Sequence, residues 1–537
     1  MNKVLKGLVA VAATAAMAIA GVAGAASAMA ADGTVTVSVP ATANLKNHTY
    51  TAYQILSGTQ ATTGGALGDA AWGTGISGVE FLAALKKDTT IGDYFKNVTD
   101  GKGFAEALSN ISNFPNDGVN TRLVAKIAMK HTKGAGTALT APTTQLATGY
   151  YLIVDSTANG QTVYNPAVLA ITSDITITDK TDVPTLEKKV QENKKAVTGD
   201  TDYGSKFNDV ADYNIGDDVP FHLIGSVPDM SQYETYKYTF SDTLGDGFDA
   251  PTSVKVYLSD NKVLDAEDSD ITSSFTVTNP LTKTFTVSTN NLKAIAGATT
   301  GKYVIVSYTA KLNSSAEIGL PGNVNTADLA YSNKPDQSGA GDTDNTGKTP
   351  EDKVIVFTYG LDVTKVDSKN VETKLKDAEF KLKNSDGKWA IITDGKVTGW
   401  ADADSQGSVL KSGEDGKFKV EGLDNGEYTL TEIKAPAGYN IPADGFSVTL
   451  KATTVNNQAW DGDATGALTD LAVKVGTDTG NGSTDTGLGA ITIKNTQGSS
   501  LPSTGGMGTT ILYAAGAAIV LVAAFGIAFA VRRRNAR

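Results

Sequence analysis

The sequence predicts a mainly β protein: tandem β-sandwich domains, a first domain mixed with some helix, and one C-terminal transmembrane helix. Three observations predict it. Apolar residues alternate with polar ones over short runs, as in Thr34-Val35-Thr36-Val37-Ser38-Val39, the period-2 pattern of a half-buried strand. Turn pairs such as Asp386-Gly387, Asp394-Gly395, Asp415-Gly416 and Asn425-Gly426 separate such runs. The one long apolar stretch at the C-terminal end, Ile511 to Val531, has about 21 residues, enough for one helix across a bilayer core. It is followed by Arg532-Arg533-Arg534-Asn535-Ala536-Arg537. Arginines stay on the cytoplasmic side, so the chain before the stretch is expected outside.

The other end agrees. Lys3 and Lys6 form a basic start, Leu8 to Val22 is apolar, and Ala26-Ser27-Ala28 and Ala28-Met29-Ala30 are small-x-small cleavage sites. Residues 1–30 are read as a signal peptide, cut after Ala28 or Ala30. The formal charge of the 537-residue chain is -12. The removed ends hold six cations (Lys3, Lys6 and four terminal arginines) and no Asp or Glu, so the mature segment carries about -18. That excludes nucleic acid as a partner, whose binding needs a basic footprint. There is no cysteine. The usual extracellular staple and thiolate metal sites are both excluded. The histidines, His48, His131 and His222, have no helical zinc spacing, and no Gly-x-Ser-x-Gly elbow is present. No cofactor and no metal site is expected, and Asp402-Ala403-Asp404 and Asp461-Gly462-Asp463 read as acidic turns.

Taken in order, residues 31–180 open with the alternating strand from Thr34. A second strand is expected at Tyr50 to Leu56, helices at Val79 to Lys87 and Arg122 to His131, and strands at Gly149 to Val154 and Ala167 to Thr172. Residues 181–359 show strand signals at Asp218 to Leu223, Tyr236 to Ser241, Ser253 to Leu258, Thr284 to Ser288, Tyr303 to Leu312, Ala327 to Tyr331 and Val354 to Thr358. No long helical pattern interrupts them, which predicts an all-β sandwich. Asn333 to Thr349 is a polar hairpin excursion; its Gly347-Lys348-Thr349 lacks the spacing of a phosphate loop. Residues 360–496 repeat the pattern at Leu361 to Asp367, Ala378 to Lys383, Phe418 to Val420, Gly426 to Glu432, Phe446 to Leu450, Leu471 to Val475 and Ala490 to Lys494. Thr477 to Gly487 is expected to be a mobile loop. Residues 497–537 hold the terminal segment.

Strand phase singles out polar residues that point into apolar cores. Lys365 is in phase with Leu361 and Val363, Glu432 with Tyr428 and Leu430, and Asn495 with Ile491 and Ile493. In the preceding domain Lys188 is in phase with Leu186 and Val190, whereas Lys189 is expected to point outward. Asp242 follows Tyr238 and Phe240, and Asn325 or Asn333 shares the phase of Leu329 and Tyr331. Such groups are costly in a core if left charged and unpaired.

Three of these features resemble one family. Leu501-Pro502-Ser503-Thr504-Gly505, the spacer, the apolar stretch and the basic tail resemble a cell-wall sorting signal of Gram-positive bacteria. Tyr428 to Tyr439 resembles the E-box of Cna-B-type, Ig-like isopeptide-forming domains, and residues 181–359 resemble the second domain of backbone pilins. The resemblance implies a major pilin: a fimbrial shaft subunit secreted, wall-anchored and displayed on the surface for adhesion. It is not an enzyme in trans. By that resemblance a sortase cleaves after Thr504. Lys365 joins Asn495 with Glu432 assisting, and Lys188 joins Asn325 with Asp242 assisting, Asn333 being the alternative. The intersubunit acceptor would be Lys180, in Ile175-Thr176-Ile177-Thr178-Asp179-Lys180, although the family's Tyr-Pro-Lys motif is absent; Lys189, Lys194 and Lys195 are rivals. Implied partners are pilin-specific and housekeeping sortases, identical subunits, ancillary pilins and peptidoglycan, with the host ligand unspecified. The alternative is a non-polymerising wall-anchored adhesin.

Overall fold

The computed structural model describes residues 34–39, 49–60, 67–111, 119–155, 167–171, 174–176, 183–231, 233–333, 346–458 and 460–498, with positions 519, 520, 523, 527 and 532. The expected signal peptide, Lys180 and Leu501 to Gly505 lie outside the described residues, as does most of Ile511 to Val531. Among the described residues no helix is long and apolar enough to cross a membrane.

The first part of the chain is mixed. Thr34–Ser38 pairs antiparallel with Thr143–Ala147 and parallel with Ile175–Thr176. Its alternation works as expected, with Val35 and Val37 buried. A second sheet is built on Tyr50–Gln60, flanked by Leu67–Trp72 and Gly149–Asp155. The expected helices appear as Gly78–Lys87 and Val119–Met129. A further helix, Gly101–Ser109, was not legible in the apolar spacing. It is started by Asp100, whose carboxylate accepts the backbone N–H of Gly103 at 2.8 Å. Trp72, Phe81, Phe95 and Phe104 pack edge-on and stacked where these helices meet the sheet.

The central part is a two-sheet sandwich. One sheet runs in the order Phe207–Asn208, Leu186–Gln191, Asp218–Ser226, Tyr303–Lys311, Val254–Ser259, Ser269–Asp270. The facing sheet centres on Tyr238–Leu244 and Asn323–Ser332, with Asp352–Phe357 beside the latter. Between them lies one continuous apolar core that includes Val190, Phe221, Phe240, Val306 and Leu329. The hairpin excursion ends in Thr346–Lys348, which pairs antiparallel with Ala330 to Ser332. Gly347-Lys348-Thr349 is therefore sheet edge and strand end.

From Tyr359 onward, the described strands form one hydrogen-bonded sheet around a second core, with Leu410–Lys411 pairing off its main path. Its first strand, Tyr359–Asp367, lies between Lys417–Leu423 and, in parallel, Leu488–Asn495. First and last strands of this region are thus direct neighbours. Two elements differ from the sequence reading. Trp389–Thr393 and Lys396–Ala401 form a hairpin around Asp394-Gly395, both at positive φ. The sequence marked that turn but not its strands, because Ile391 points to solvent and blurs the alternation. Thr477 to Gly487, expected to be a mobile loop, instead contains the paired strands Asp478–Thr479 and Asn481–Ser483. Backbone pairing to neighbouring strands overrides its turn-rich composition.

A polar seam joins the last two regions. The Glu192 carboxylate accepts the backbone N–H groups of Lys194 and Lys195 at 2.8 and 3.0 Å. Lys195 pairs with buried Asp212, which also accepts the Tyr359 hydroxyl at 3.0 Å. Lys194 pairs with buried Asp424 at 3.0 Å. Burial first, and then the charge of Asp212, pushes the Glu192 and Asp424 carboxyls upward.

Candidate functional site

Two buried polar centres stand out, each at the tie between the first strand of its region and a later one. In the C-terminal region, parallel pairing places Lys365 opposite Ile493 and Asp367 opposite Asn495. Lys365, Glu432 and Asn495 are all buried, at 0%, 5% and 1% exposure. Asn495 Nδ2 donates to Glu432 Oε1 at 2.8 Å and to the Asn440 carbonyl at 3.1 Å. The Lys365 amine reaches the Ile493 carbonyl at 3.4 Å. Burial lowers the Lys365 ammonium to about 8, against the opposing pull of Glu432 and Asp367. Burial also raises Glu432, opposed by Lys365 and by the Asn495 hydrogen bond. Both shifts favour the neutral pair over the ion pair. Beside the centre, the Tyr439 hydroxyl donates to Asp367 at 2.8 Å and fixes the end of the E-box-like segment.

The central region repeats the arrangement. Lys188 and Asn325 are fully buried, and Asp242 is 1% exposed. Lys188 Nζ bonds Asp242 Oδ2, and its backbone N–H donates to Asp352 Oδ2 at 2.6 Å. Burial lowers the Lys188 ammonium more than Asp242 raises it, and burial raises the Asp242 carboxyl. Of the two candidate asparagines the structure brings Asn325 to this centre. Asn333 is buried elsewhere, eight positions further on and hence about 27 Å along the strand direction. In both centres the amide oxygen (Asn495 Oδ1, Asn325 Oδ1) and one acid oxygen (Glu432 Oε2, Asp242 Oδ1) lack a hydrogen-bond donor among the described residues. A proton on the acid supplies the missing donor.

The sequence reading missed Tyr308. Its hydroxyl donates to Asp242 Oδ2 at 2.9 Å and accepts from Asn325 Nδ2 at 2.8 Å and from Lys188 Nζ at 3.2 Å. The available signal was its phase, shared with Val304, Val306 and Ala310, which marks a core position but not a polar role.

One lysine departs from expectation. Lys189 does not point to solvent: it is 5% exposed, pairs with Asp209 at 2.5 Å and lies 4.4 Å from the ring centre of Tyr203. The segment carrying Tyr203, Phe207 and Asp209 covers that face of the strand. His222, on the same face, stacks on Phe207 at 4.0 Å, and burial drops its imidazole to about 4. It is a neutral core ring. In the two acidic turns Asp404 pairs with Lys381 at 2.9 Å, and Asp463 caps the short helix Ala464–Ala467.

Comparison with known proteins agrees with this architecture. Residues 360–463 match the SpaA prealbumin-like fold domain, and residues 493–536 match the LPXTG cell wall anchor motif. A trypsin-resistant surface T6 protein of Streptococcus pyogenes serotype M6 is 29% identical over 286 residues, 43% of this chain. The chain thus spans about half the length of that curated relative, 48%. The solved T6 backbone pilin of serotype M6 Streptococcus pyogenes superposes with TM-score 0.52 at 17% identity, covering 86% of this chain and 98% of that one. The major pilin SpaD of Corynebacterium diphtheriae gives TM-score 0.45 at 18% identity, covering 87% and 98%. The chain is an LPXTG-anchored surface protein with a prealbumin-like SpaA domain and the backbone-pilin fold.

Proposed function

We propose that this protein is the backbone subunit of a covalently polymerised surface pilus. In this reading, residues 1–30 direct secretion, residues 31–180, 181–359 and 360–496 are the three domains of the shaft, and residues 497–537 carry the sorting signal. A pilin-specific sortase cleaves between Thr504 and Gly505 and passes Thr504 to Lys180 of the next subunit. A housekeeping sortase attaches the base to peptidoglycan. The protein is thus a sortase substrate and not an enzyme acting on others. Its one catalytic event is on itself.

The observation that carries this reading is the pair of buried lysine–acid–asparagine centres. Each places a lysine with a depressed ammonium beside an acid whose carboxyl is raised. A neutral amine attacks the amide carbon while the protonated acid polarises the amide oxygen. The new N–C bond forms, the C–Nδ2 bond breaks, and ammonia leaves. Lys365 joins Asn495 and Lys188 joins Asn325. A tie between the opening strand of a region and a later strand lets tension bypass the hydrogen-bonded ladder, the need of a cysteine-free shaft.

Lys180 is supported by exclusion of its rivals. Lys189 and Lys195 are held in ion pairs with Asp209 and Asp212, and Lys194 with Asp424. A lysine so engaged is a poor entrant to a sortase cleft. Trypsin digestion of surface fibres and mass spectrometry test the assignment. A branched peptide joining Thr504 to Lys180 is expected. Thr504 found only on cell-wall peptide would instead make this a monomeric anchored adhesin.

A further inference from the structure

The two centres differ in how the acid reaches the amide. In the C-terminal centre Glu432 touches the asparagine nitrogen directly, Asn495 Nδ2 to Oε1, at 2.8 Å. In the central centre the acid is an aspartate, one methylene shorter. The contact between it and Asn325 Nδ2 runs through the Tyr308 hydroxyl, 2.9 Å from Asp242 Oδ2 and 2.8 Å from Asn325 Nδ2. The same oxygen is 3.2 Å from the Lys188 amine. The phenol therefore touches the nucleophile, the acid and the leaving nitrogen at once. It is held there firmly. Its ring stacks on Phe221 at 5.4 Å and meets Phe285 edge-on at 5.2 Å, and its strand is paired on both sides.

We infer that Tyr308 is a catalytic residue of the central cross-link, relaying a proton from Asp242 to the departing nitrogen of Asn325. The inference rests on the intramolecular amide reading given above. The step balances. Lys188 passes one proton to the Asp242 carboxylate and attacks the Asn325 carbonyl carbon as a neutral amine. Tyr308 gives its hydroxyl proton to Nδ2 and takes one from the Asp242 carboxylic acid, leaving a carboxylate, as the C–N bond breaks. Ammonia leaves, and the new amide nitrogen gives its surplus proton to the Asp242 carboxylate. Tyr308 ends as it began, while Asp242 ends as the neutral acid, holding the proton the Lys188 ammonium brought. Burial and the neighbouring Asp242 hold the phenol far above its ordinary range, so it stays protonated until the relay. General acid catalysis of this kind is worth roughly a hundredfold or more in rate.

The test uses the full chain, with the Lys365–Asn495 cross-link of the same molecule as internal standard. Closure is followed by pulse-chase on denaturing gels and by tryptic mapping of the Lys188–Asn325 peptide. Tyr308→Phe keeps the ring packing and is expected to close the central cross-link roughly a hundredfold more slowly, with the Lys365–Asn495 link unchanged. Closure at the unmodified rate overturns the relay. If Tyr308→Phe leaves the central region trypsin-sensitive, 3,5-difluorotyrosine placed at 308 decides. It keeps shape and hydrogen bonds but alters phenol acidity, so a relay shifts the pH profile of closure and a structural role does not; an unshifted profile overturns the relay. A chain with normal Tyr308 and no Lys188–Asn325 peptide at all would refute the amide reading itself, a different result from any of these.

Discussion

Asn495→Ala is the most informative single change. It removes the amide carbon that Lys365 would attack and leaves Lys365 and Glu432 in place. The proposed cross-link would join the first and last strands of its region, which pair directly, and would close a loop of roughly 130 residues, for which the chain-entropy estimate is about 5 kcal/mol. Loss of the hydrogen bonds to Glu432 and to the Asn440 carbonyl adds about 1 kcal/mol. For a region of this size the sum of about 6 kcal/mol corresponds to a fall in Tm of roughly 15–25 °C. Two assays read it together. Each amide formed releases one ammonia, so the intact mass of the wild-type chain should lie about 34 Da below that of its processed sequence, and that of the variant about 17 Da below. Calorimetry should show the transition of the C-terminal region shifted and the other transitions unmoved. Glu432→Gln separates the two contributions, since it keeps Asn495 and still offers an acceptor, yet has no proton to lend. Measured against its own processed sequence, it should show the same deficit as Asn495→Ala, about 17 Da. A wild-type mass with no deficit, or a variant mass identical to the wild type after allowing for the substitution, would refute the reasoning.

Other outcomes follow from the same geometry. Lys188→Ala should lose the central cross-link only and render the region around Asp218–Ser226 open to trypsin at temperatures the wild type survives, as read by peptide mapping. Lys180→Ala should abolish the fibre ladder on denaturing gels with unchanged Tm. Lys195→Ala should do the reverse: it strips buried Asp212 of its cation, costing about 3 kcal/mol in a urea titration, while polymer persists. In Asn495→Ala, which cannot close its amide, Lys365 titrates in the folded state at about 8, against 10.5 for an ordinary lysine. The unfolded chain then binds more protons between these values, so stability, read as the urea midpoint, should rise as pH increases from about 8 to 10.5. A flat midpoint across that window would show that Lys365 is not desolvated.

Period-2 alternation makes a strand's inward face legible before any pairing is known, because a strand beside an apolar core can bury only one phase. That is why Lys365, Glu432, Asn495, Lys188 and Asp242 could be named from the sequence, and why all five are buried. The same rule misread Lys189. Phase tells which face a residue occupies but not whether another segment covers that face, and here the stretch from Tyr203 to Asp209 does. Helices whose apolar faces are short, like Gly101–Ser109, left too few repeats to register, although their cap did the folding work.

By itself, then, the sequence determined the strand faces, the identity of the buried ionisable groups, the mainly β class and the sorting pentapeptide Leu501 to Gly505, since each depends only on local order along the chain. Tertiary structure decided what local order cannot carry. Asn325 and Asn333 share a phase, and only sheet register brings one of them, through Tyr308, to Lys188. Tyr308 itself looked like any core aromatic until the sandwich closed, because its role depends on the distance from one sheet to the other and on an acid one methylene short of reaching the amide.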